Sequence, residues 1–295
     1  DDGFSAAITA GSAVIGPIFP PSIPLVIYGV IAGASIGNLF LAGMVPGIIL
    51  ALALCIYVCY IANKRNYPSG RKYAGMEFIK MTVSAVPALL TPIILLMGIY
   101  TGIMTATEAG AVAALYALLI SVFAYRSITL SEFIQVLKNT VKSTGQIGIM
   151  LGAAYVFSYV IAVENLPSLA GNLILSFATT KVSFLVFVNI LLFILGMLLD
   201  SAVLQLVLLP ILCPIAQSFG IDMVHFGVVF TLNTMIGLCT PPFGMLLFIV
   251  TGISGEKMNT IIKEVMPMVF VMVLVLILVT FVPDVIMWLP RLFGR

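Results

Sequence analysis

The sequence predicts an all-α polytopic membrane protein in which two broken helices and a re-entrant hairpin are arranged around an inverted repeat. Three observations carry that prediction. Of 295 residues, 62% are hydrophobic and 8% charged, with a mean hydropathy of +1.23, against about 45–50% apolar and about 25% charged in a soluble domain. Apolar windows recur at the roughly 20-residue length that crosses a bilayer as helix. Two of those windows are interrupted by paired prolines, Pro20-Pro21 and Pro241-Pro242. A soluble fold is excluded, because so few polar side chains cannot wet its surface. The 13 basic and 11 acidic residues leave a net charge of +2, which offers no basic face to nucleic acid. Cys55, Cys59, Cys213 and Cys239 lie in apolar runs with no histidine cluster near them, so neither a disulfide framework nor a metal site is read from them.

Taken in order, the chain opens with Asp1 and Asp2 leading straight into an apolar run. A signal peptide starts basic and ends in a small-residue cleavage site, so none is read, and the chain is expected to begin partway through a larger polypeptide. The first span, about Phe4 to Val30, is broken by proline, and a short amphipathic piece follows from Ile36 to Leu41; together they form segment 1–45. Segment 46–144 holds spans at about Pro46 to Ile61, Met81 to Gly98 and Ala109 to Tyr125, with the basic loop Lys64, Arg65, Arg71, Lys72, a polar turn from Tyr100 to Glu108, and an interfacial amphipathic helix from Thr129 to Lys142. Segment 145–181 contains a span from Gly145 to Val163 and a short flat helix from Pro167 to Ala178. Segment 182–218 is a hairpin whose apolar arms, Val182 to Leu199 and Val203 to Ala216, are parted only by Asp200, Ser201 and Ala202. Segment 219–266 carries the second proline-broken span, Phe226 to Val250, and an amphipathic piece with Glu256, Lys257, Lys263 and Glu264; segment 267–295 is the final span, Pro267 to Val282. With Asp1 placed in the cytoplasm, all basic residues but Lys181, Arg291 and Arg295 fall inside, as the positive-inside rule requires.

An internal repeat lies about 221 residues apart by residue number. Phe4, Thr9, Ser12, Ile15-Gly16 and Pro20-Pro21 align with Phe226, Thr231, Thr234, Ile236-Gly237 and Pro241-Pro242, and Pro46 with Pro267. About five crossings separate the two units, an odd number, so the second enters from the opposite side. Inverted repeats are the internal symmetry of secondary transporters.

The diproline breaks hold the informative chemistry. Proline removes a backbone donor and disfavours helix in the preceding residue, so the helices stop near Gly16 and near Gly237. Freed backbone at membrane depth is tolerated only where protein or a water-filled cavity covers it. The carbonyl end of one half-helix suits a cation, and the amide end of the other suits an anion. Ser22 and Thr240 place hydroxyls beside these breaks, and Thr240-Pro241 has the order of an N-cap and first helical position. A plain proline kink is the simpler alternative, and the symmetric pairing of two breaks argues against it. Asp200 between apolar arms marks a functional site if it is buried in the bilayer and is merely solvated if the turn reaches the far interface. Thr105 with Glu108, and Thr129 with Glu132, have capping-box spacing. His225, the only histidine, lies at a span boundary, and a proton relay there is the minor reading.

The stretch Ile15 to Pro24 (IGPIFPPSIP), the turn Gly98 to Glu108 (GIYTGIMTATE) and Gly237 to Gly244 (GLCTPPFG) together resemble the large membrane subunit of TRAP transporters, the tripartite ATP-independent periplasmic type, over essentially the whole chain. The resemblance implies sodium-coupled symport of an organic acid, such as a C4-dicarboxylate or sialic acid, across the bacterial inner membrane. It implies as partners a small Q-type membrane subunit and a periplasmic substrate-binding protein, and an elevator mechanism. Segments 1–45, 182–218 and 219–266 would then belong to the transport domain, and 46–144 and 267–295 to the scaffold. Family members carry further spans and a first hairpin before the part matching Phe4, so the chain corresponds to about the C-terminal two thirds, with part of the ion and substrate sites outside it. The candidate ion and substrate positions are Ser12, Gly16, Pro20, Pro21, Ser22, Gly196, Asp200, Ser201, Cys239, Thr240 and Gly244, with sodium, the only cofactor expected, at Thr240, Asp200 and Gly16. An intramembrane enzyme would need a nucleophile with a base or a ligand set within the spans, and no H-E-x-x-H is present. A channel would draw its filter from rings about an oligomer axis. A nucleotide-driven pump would need a G-x-x-x-x-G-K-[ST] loop, which the sequence lacks.

Overall fold

A computed structural model describes residues 2–67, 75–165, 174 and 178–293. Every regular element among them is helical: α1 Asp2–Ala13, α2 Ile23–Ala32, α3 Ile36–Lys64, α4 Gly75–Tyr100, α5 Ala106–Leu119 with a π-turn at Ile120–Ala124, α6 Leu130–Val163, α7 Lys181–Gly196, α8 Ser201–Ser218, α9 Met223–Gly237, α10 Met245–Ser254, α11 Met258–Phe281 and α12 Asp284–Phe293. Six of these, α3, α4, α5 with its π-turn, α6, α8 and α11, are long and apolar enough to cross a membrane. The flat helix expected at Pro167 to Ala178 lies, apart from Ile174 and Ala178, outside the described residues, as do Arg71 and Lys72.

Both proline breaks are present. α1 ends at Ala13, and a turn held by the Ile18 and Phe19 amides on the Ile15 carbonyl (3.0 and 2.9 Å) leads to α2. α9 ends at Gly237 and α10 begins at Met245. The repeated segments match element for element. Each second half is ten residues long, each is closed by a left-handed glycine, Gly33 (φ 66°) or Gly255 (φ 72°), and each leads into a long helix with an internal proline, Pro46 or Pro267. Glycine fits those closures because it alone adopts positive φ without steric cost.

Three expected boundaries fall inside continuous helices. Residues 45/46 lie within α3, 144/145 within α6 and 266/267 within α11, so the amphipathic pieces run on into the spans from Ile36, from Leu130 just past Thr129, and from Met258 just past Glu256 and Lys257. At such points the composition changes because the surroundings pass from interface to hydrocarbon, while the backbone hydrogen bonding runs on. Thr240 is not the N-cap of α10. That position belongs to Gly244 in left-handed conformation (φ 43°), because residues 241–243 form a turn and the first amides of the new helix are satisfied elsewhere. An unforeseen amphipathic helix, α12, packs on α3, burying Ile286, Met287 and Pro290 and leaving Trp288 and the Asp284–Arg291 ion pair (2.7 Å) exposed.

The described residues divide into two compact units. In the unit of residues 1–65 and 154–295, α9 is the central post, buried at every position from His225 to Gly237. Tyr28, Phe184, Phe219, Phe226 and Phe230 form a chain of ring contacts between 5.2 and 6.5 Å around its first turns. His225 is part of this packing: its Nε2 lies 2.9 Å from the Val279 carbonyl of α11. Arg65 of α3 grips Glu264 of α11 in a bidentate pair (3.0 and 2.9 Å) and lies over the ring of Phe4 in α1.

In the unit of residues 66–153, α4 carries two internal prolines, Pro87 and Pro92. Pro87 sits inside α4 and disturbs the i to i−4 ladder there. The hydroxyl of Tyr125, just past the π-turn, enters the gap: it donates to the Ser84 carbonyl (2.8 Å) and accepts from the Ala88 amide (3.3 Å), while Tyr116 donates to the Pro87 carbonyl (3.0 Å). Capping boxes open α5 and α6 as expected, Thr105 with Glu108 and Thr129 with Glu132.

Candidate functional site

The tip of the α7–α8 hairpin meets the second break. α7 stops at Gly196, and Asp200 starts α8 by accepting the Ala202 amide on Oδ1 (2.8 Å). The two backbones touch: a Cβ on Gly237 would stand 2.6 Å from the Gly196 carbonyl carbon. The contact is anchored on both sides. Gly244 donates its amide to the Met197 carbonyl (3.1 Å). Ser201 and Thr234 Oγ atoms are 3.0 Å apart, and Thr234 already donates to main-chain carbonyls of α9, which makes Ser201 the donor.

Two helix C-termini, of α7 and α9, therefore end side by side, and their last carbonyls carry the negative ends of both helix dipoles. The α10 N-terminus beside them has no side-chain cap. The junction gathers main-chain oxygens of the kind that a hard cation takes, while the Gly244, Leu246 and Leu247 amides at the start of α10 donate to the Met197, Leu238 and Gly244 carbonyls (3.1, 3.0 and 2.8 Å). Thr240, buried, donates to the Ile236 carbonyl at 2.8 Å, leaving its oxygen lone pairs available to accept.

At the first break Ser22 caps α2, accepting the Leu25 amide (3.2 Å) while its hydroxyl donates to the Pro17 carbonyl. Ser12, Gly16 and Pro21 are exposed and Pro20 is buried; Ser12 donates to the Thr9 carbonyl (3.3 Å). Cys239 links the two repeats, its thiol donating to the Ala10 carbonyl of α1 (2.9 Å). Of the expected positions, Gly196, Ser201 and Gly244 are thus brought together at the hairpin tip, and Cys239 is brought to α1. Thr240 and Asp200 are each engaged with their own helix, and Gly16 lies in the other break.

Sequence reasoning gave no site role to four residues behind the tip. Asn233 donates to the Asn189 carbonyl and side-chain oxygen (3.0 and 2.8 Å), tying α9 to α7. Gln205 is fully buried on α8 one turn beyond Ser201, and Thr231 is fully buried on α9 one turn before Thr234; neither side chain has a protein partner. Buried polar groups are costly when unpaired. Gln205, a polar residue inside an apolar arm, was the available signal.

The sequence profile of the family described as "Tripartite ATP-independent periplasmic transporter, DctM component" matches residues 1–285. The chain is 41% identical over 292 residues to the sialic acid TRAP transporter large permease protein SiaM of Vibrio cholerae serotype O1, covering 99% of this chain and 68% of that one. It is 34% identical over 291 residues to the C4-dicarboxylate TRAP transporter large permease protein DctM of Pseudomonas aeruginosa, covering 99% and 68%. It is 37% identical over 286 residues to the isethionate TRAP transporter permease protein DctMQ of Oleidesulfovibrio alaskensis, covering 97% of this chain and 45% of that one.

Proposed function

Because the chain belongs to the DctM component family of the tripartite ATP-independent periplasmic transporters, we propose that it carries out sodium-coupled symport of an organic acid, delivered by a periplasmic binding protein and assisted by a small Q-type membrane subunit. It is a multi-pass protein of the bacterial inner membrane and not an enzyme. The relatives' names specify sialic acid, C4-dicarboxylate and isethionate, and a small organic carboxylate of the first two kinds is the substrate class proposed here.

The observation that carries this reading is the backbone contact of Gly196 with Gly237. It sets two helix C-termini and the hydroxyls of Ser201 and Thr234 at one point, an arrangement suited to a sodium ion because it offers oxygen ligands. Thr240, Asp200 and Gly16 are proposed to complete ion binding as the tip and the breaks rearrange. The positive end of the α10 helix dipole is proposed to face the substrate carboxylate. The 16 residues of α7 extend about 24 Å, short of the roughly 30 Å hydrocarbon core, which supports a re-entrant arm. In the elevator reading the hairpin and both broken helices move as one body; α3 and α11, expected as scaffold, pack against α1 and α9 and in this reading travel with them.

The test is uptake by the complete transporter, with its partner subunits, in liposomes. Uptake driven by an imposed sodium gradient and dependent on the binding protein is expected. Uptake indifferent to sodium and driven by a proton gradient alone would overturn the proposal.

A further inference from the structure

The two arms of the hairpin are held by different neighbours: α7 packs on α9, α8 packs on α2 and α9, and the arms barely touch each other. α7 is fixed along its length. At its start Phe184 meets the rings of Phe219 and Phe226 (5.2 and 6.3 Å), and in its middle Asn189 accepts from Asn233 on its carbonyl and its side-chain oxygen (3.0 and 2.8 Å). At its end Gly196 lies against the main chain of Gly237, and Met197 accepts the Gly244 amide (3.1 Å).

α8 is anchored at its far end. Phe219, just past its last turn, stacks on Phe184, and the Ile221 amide returns to the Ala216 carbonyl (3.1 Å) around Gly220 (φ 66°). Because Phe184 also meets Phe226 in the first turn of α9, the end of α8 is level with the start of α9, and the two helices run antiparallel. At the tip their tie is one hydroxyl pair, Ser201 with Thr234 (3.0 Å).

One turn inward from that pair lie Gln205 on α8 and Thr231 on α9. Steps of four and three residues return to the same helix face, and in an antiparallel pair they advance in one direction, by about 6 and 4.5 Å, so both residues border the same seam. Both are fully buried without a protein partner, whereas Thr234 and Thr240 donate to carbonyls four residues back (3.1 and 2.8 Å). Unpaired polar groups raise the free energy of the closed seam, and water returns that cost when the seam opens; apolar side chains there would hold it shut.

We propose that α8 alone is the gate of the hairpin. It pivots on its aromatic end, parts from α9 at the tip by breaking the Ser201–Thr234 bond, and leaves α7 in place, with Gln205 and Thr231 lining the aqueous opening by which ion and substrate reach the junction. The opening is local, within the body that travels as one, and the inference rests on the reading of the tip as the ion site.

The complete transporter in liposomes would carry Gln205→Cys, Thr231→Cys or Leu192→Cys, with the exposed native thiols removed by Cys55→Ala and Cys59→Ala. A charged methanethiosulfonate would mark thiols that water reaches, and mass spectrometry would locate them. Leu192, fully buried on α7, lies one turn from the tip as Gln205 does, and native Cys213 lies about two turns beyond Gln205 towards the pivot. Labelling at 205 and 231 is expected, slowed about tenfold by saturating sodium, with Leu192→Cys and Cys213 labelled about tenfold more slowly than Gln205→Cys, as local opening requires. Either seam variant alone decides the matter. Absence of labelling at the seam in every condition, equal labelling of Leu192→Cys because both arms move, or equal labelling of Cys213 because α8 leaves as a whole would each overturn the proposal. Seam labelling that sodium does not slow would support the gate and count against the ion reading, and sodium-driven uptake with an unlabelled seam would do the reverse.

Discussion

Gly196 and Gly237 meet main chain to main chain, and the contact is asymmetric. A Cβ on Gly237 would lie 2.6, 2.7 and 2.9 Å from three backbone atoms of Gly196, whereas one on Gly196 would find its nearest neighbours at 3.4 Å. The hairpin tip can therefore accept a side chain from one direction and not from the other. Gly237→Ala should force the tip away from the break, costing about 1–3 kcal/mol as overpacking does and reducing sodium-driven uptake at least tenfold. Gly196→Ala should keep uptake within about threefold, since a methyl group there meets near-ordinary contacts and gains helix propensity of up to about 1 kcal/mol. Uptake by both variants at normal surface expression decides it, and equal effects would contradict the geometry.

Thr240→Val preserves shape and removes the hydroxyl. If the freed lone pairs of Thr240 serve a sodium ion, the sodium concentration for half-maximal uptake should rise about fivefold, the equivalent of roughly 1 kcal/mol for one lost polar contact. An unchanged sodium dependence would remove Thr240 from the ion site.

Asp200 is tied to the Ala202 amide as a helix cap, and asparagine caps as well as aspartate. Asp200→Asn should thus keep measurable sodium-driven uptake, and dissipating the proton gradient alone should leave it running. Uptake lost in this variant but retained in Asp200→Glu would assign the charge itself to the mechanism.

Tyr125 repairs the ladder opened at Pro87. With Tyr125→Phe, the Ser84 carbonyl and Ala88 amide lose their bridge, and the variant should be about 1–3 kcal/mol less stable, read as a lowered midpoint of thermal unfolding in detergent. Tyr116→Phe, which removes one bond to the Pro87 carbonyl, should cost less.

The Arg65–Glu264 pair is bidentate, with side-chain exposures of 36% and 19%. Solvent screening keeps such a pair near 1 kcal/mol or below, so Glu264→Gln should lower stability by about 0.5–1 kcal/mol in low salt. The difference should shrink in about 1 M choline chloride, where the screening length falls to about 3 Å. Choline replaces sodium so that ion binding does not enter the comparison.

Much of this architecture is legible in the residues. Pro20-Pro21 and Pro241-Pro242 mark both breaks, and Thr105 with Glu108 marks a helix start, because each rests on a local donor or acceptor that sequence neighbours supply or withhold. The continuous α3, α6 and α11 were not legible. Pro46 and Pro267 stand where polarity also changes, and a proline near such a shift reads as an end, yet a span entering hydrocarbon holds its remaining backbone bonds more tightly than it would in water. The Gly196–Gly237 contact joins positions 41 apart and follows from packing alone. Thr231 and Thr234 were visible as repeat partners of Thr9 and Ser12, but both are fully buried, and only the contact with Ser201 shows that Thr234 is the one that meets the hairpin tip.

The chain contains one tryptophan, Trp288, on the exposed side of α12, 47% accessible. Selective excitation of indole in this chain therefore reports a single address. Its emission colour tracks the polarity around the terminal amphipathic helix and is blind to the proline breaks and the hairpin tip, so a spectral change on adding sodium or substrate would mean that events at the junction are felt some distance along the fold. For the same reason, an indole placed at the tip in a Trp288→Phe background would give an optical signal free of any other source within this chain.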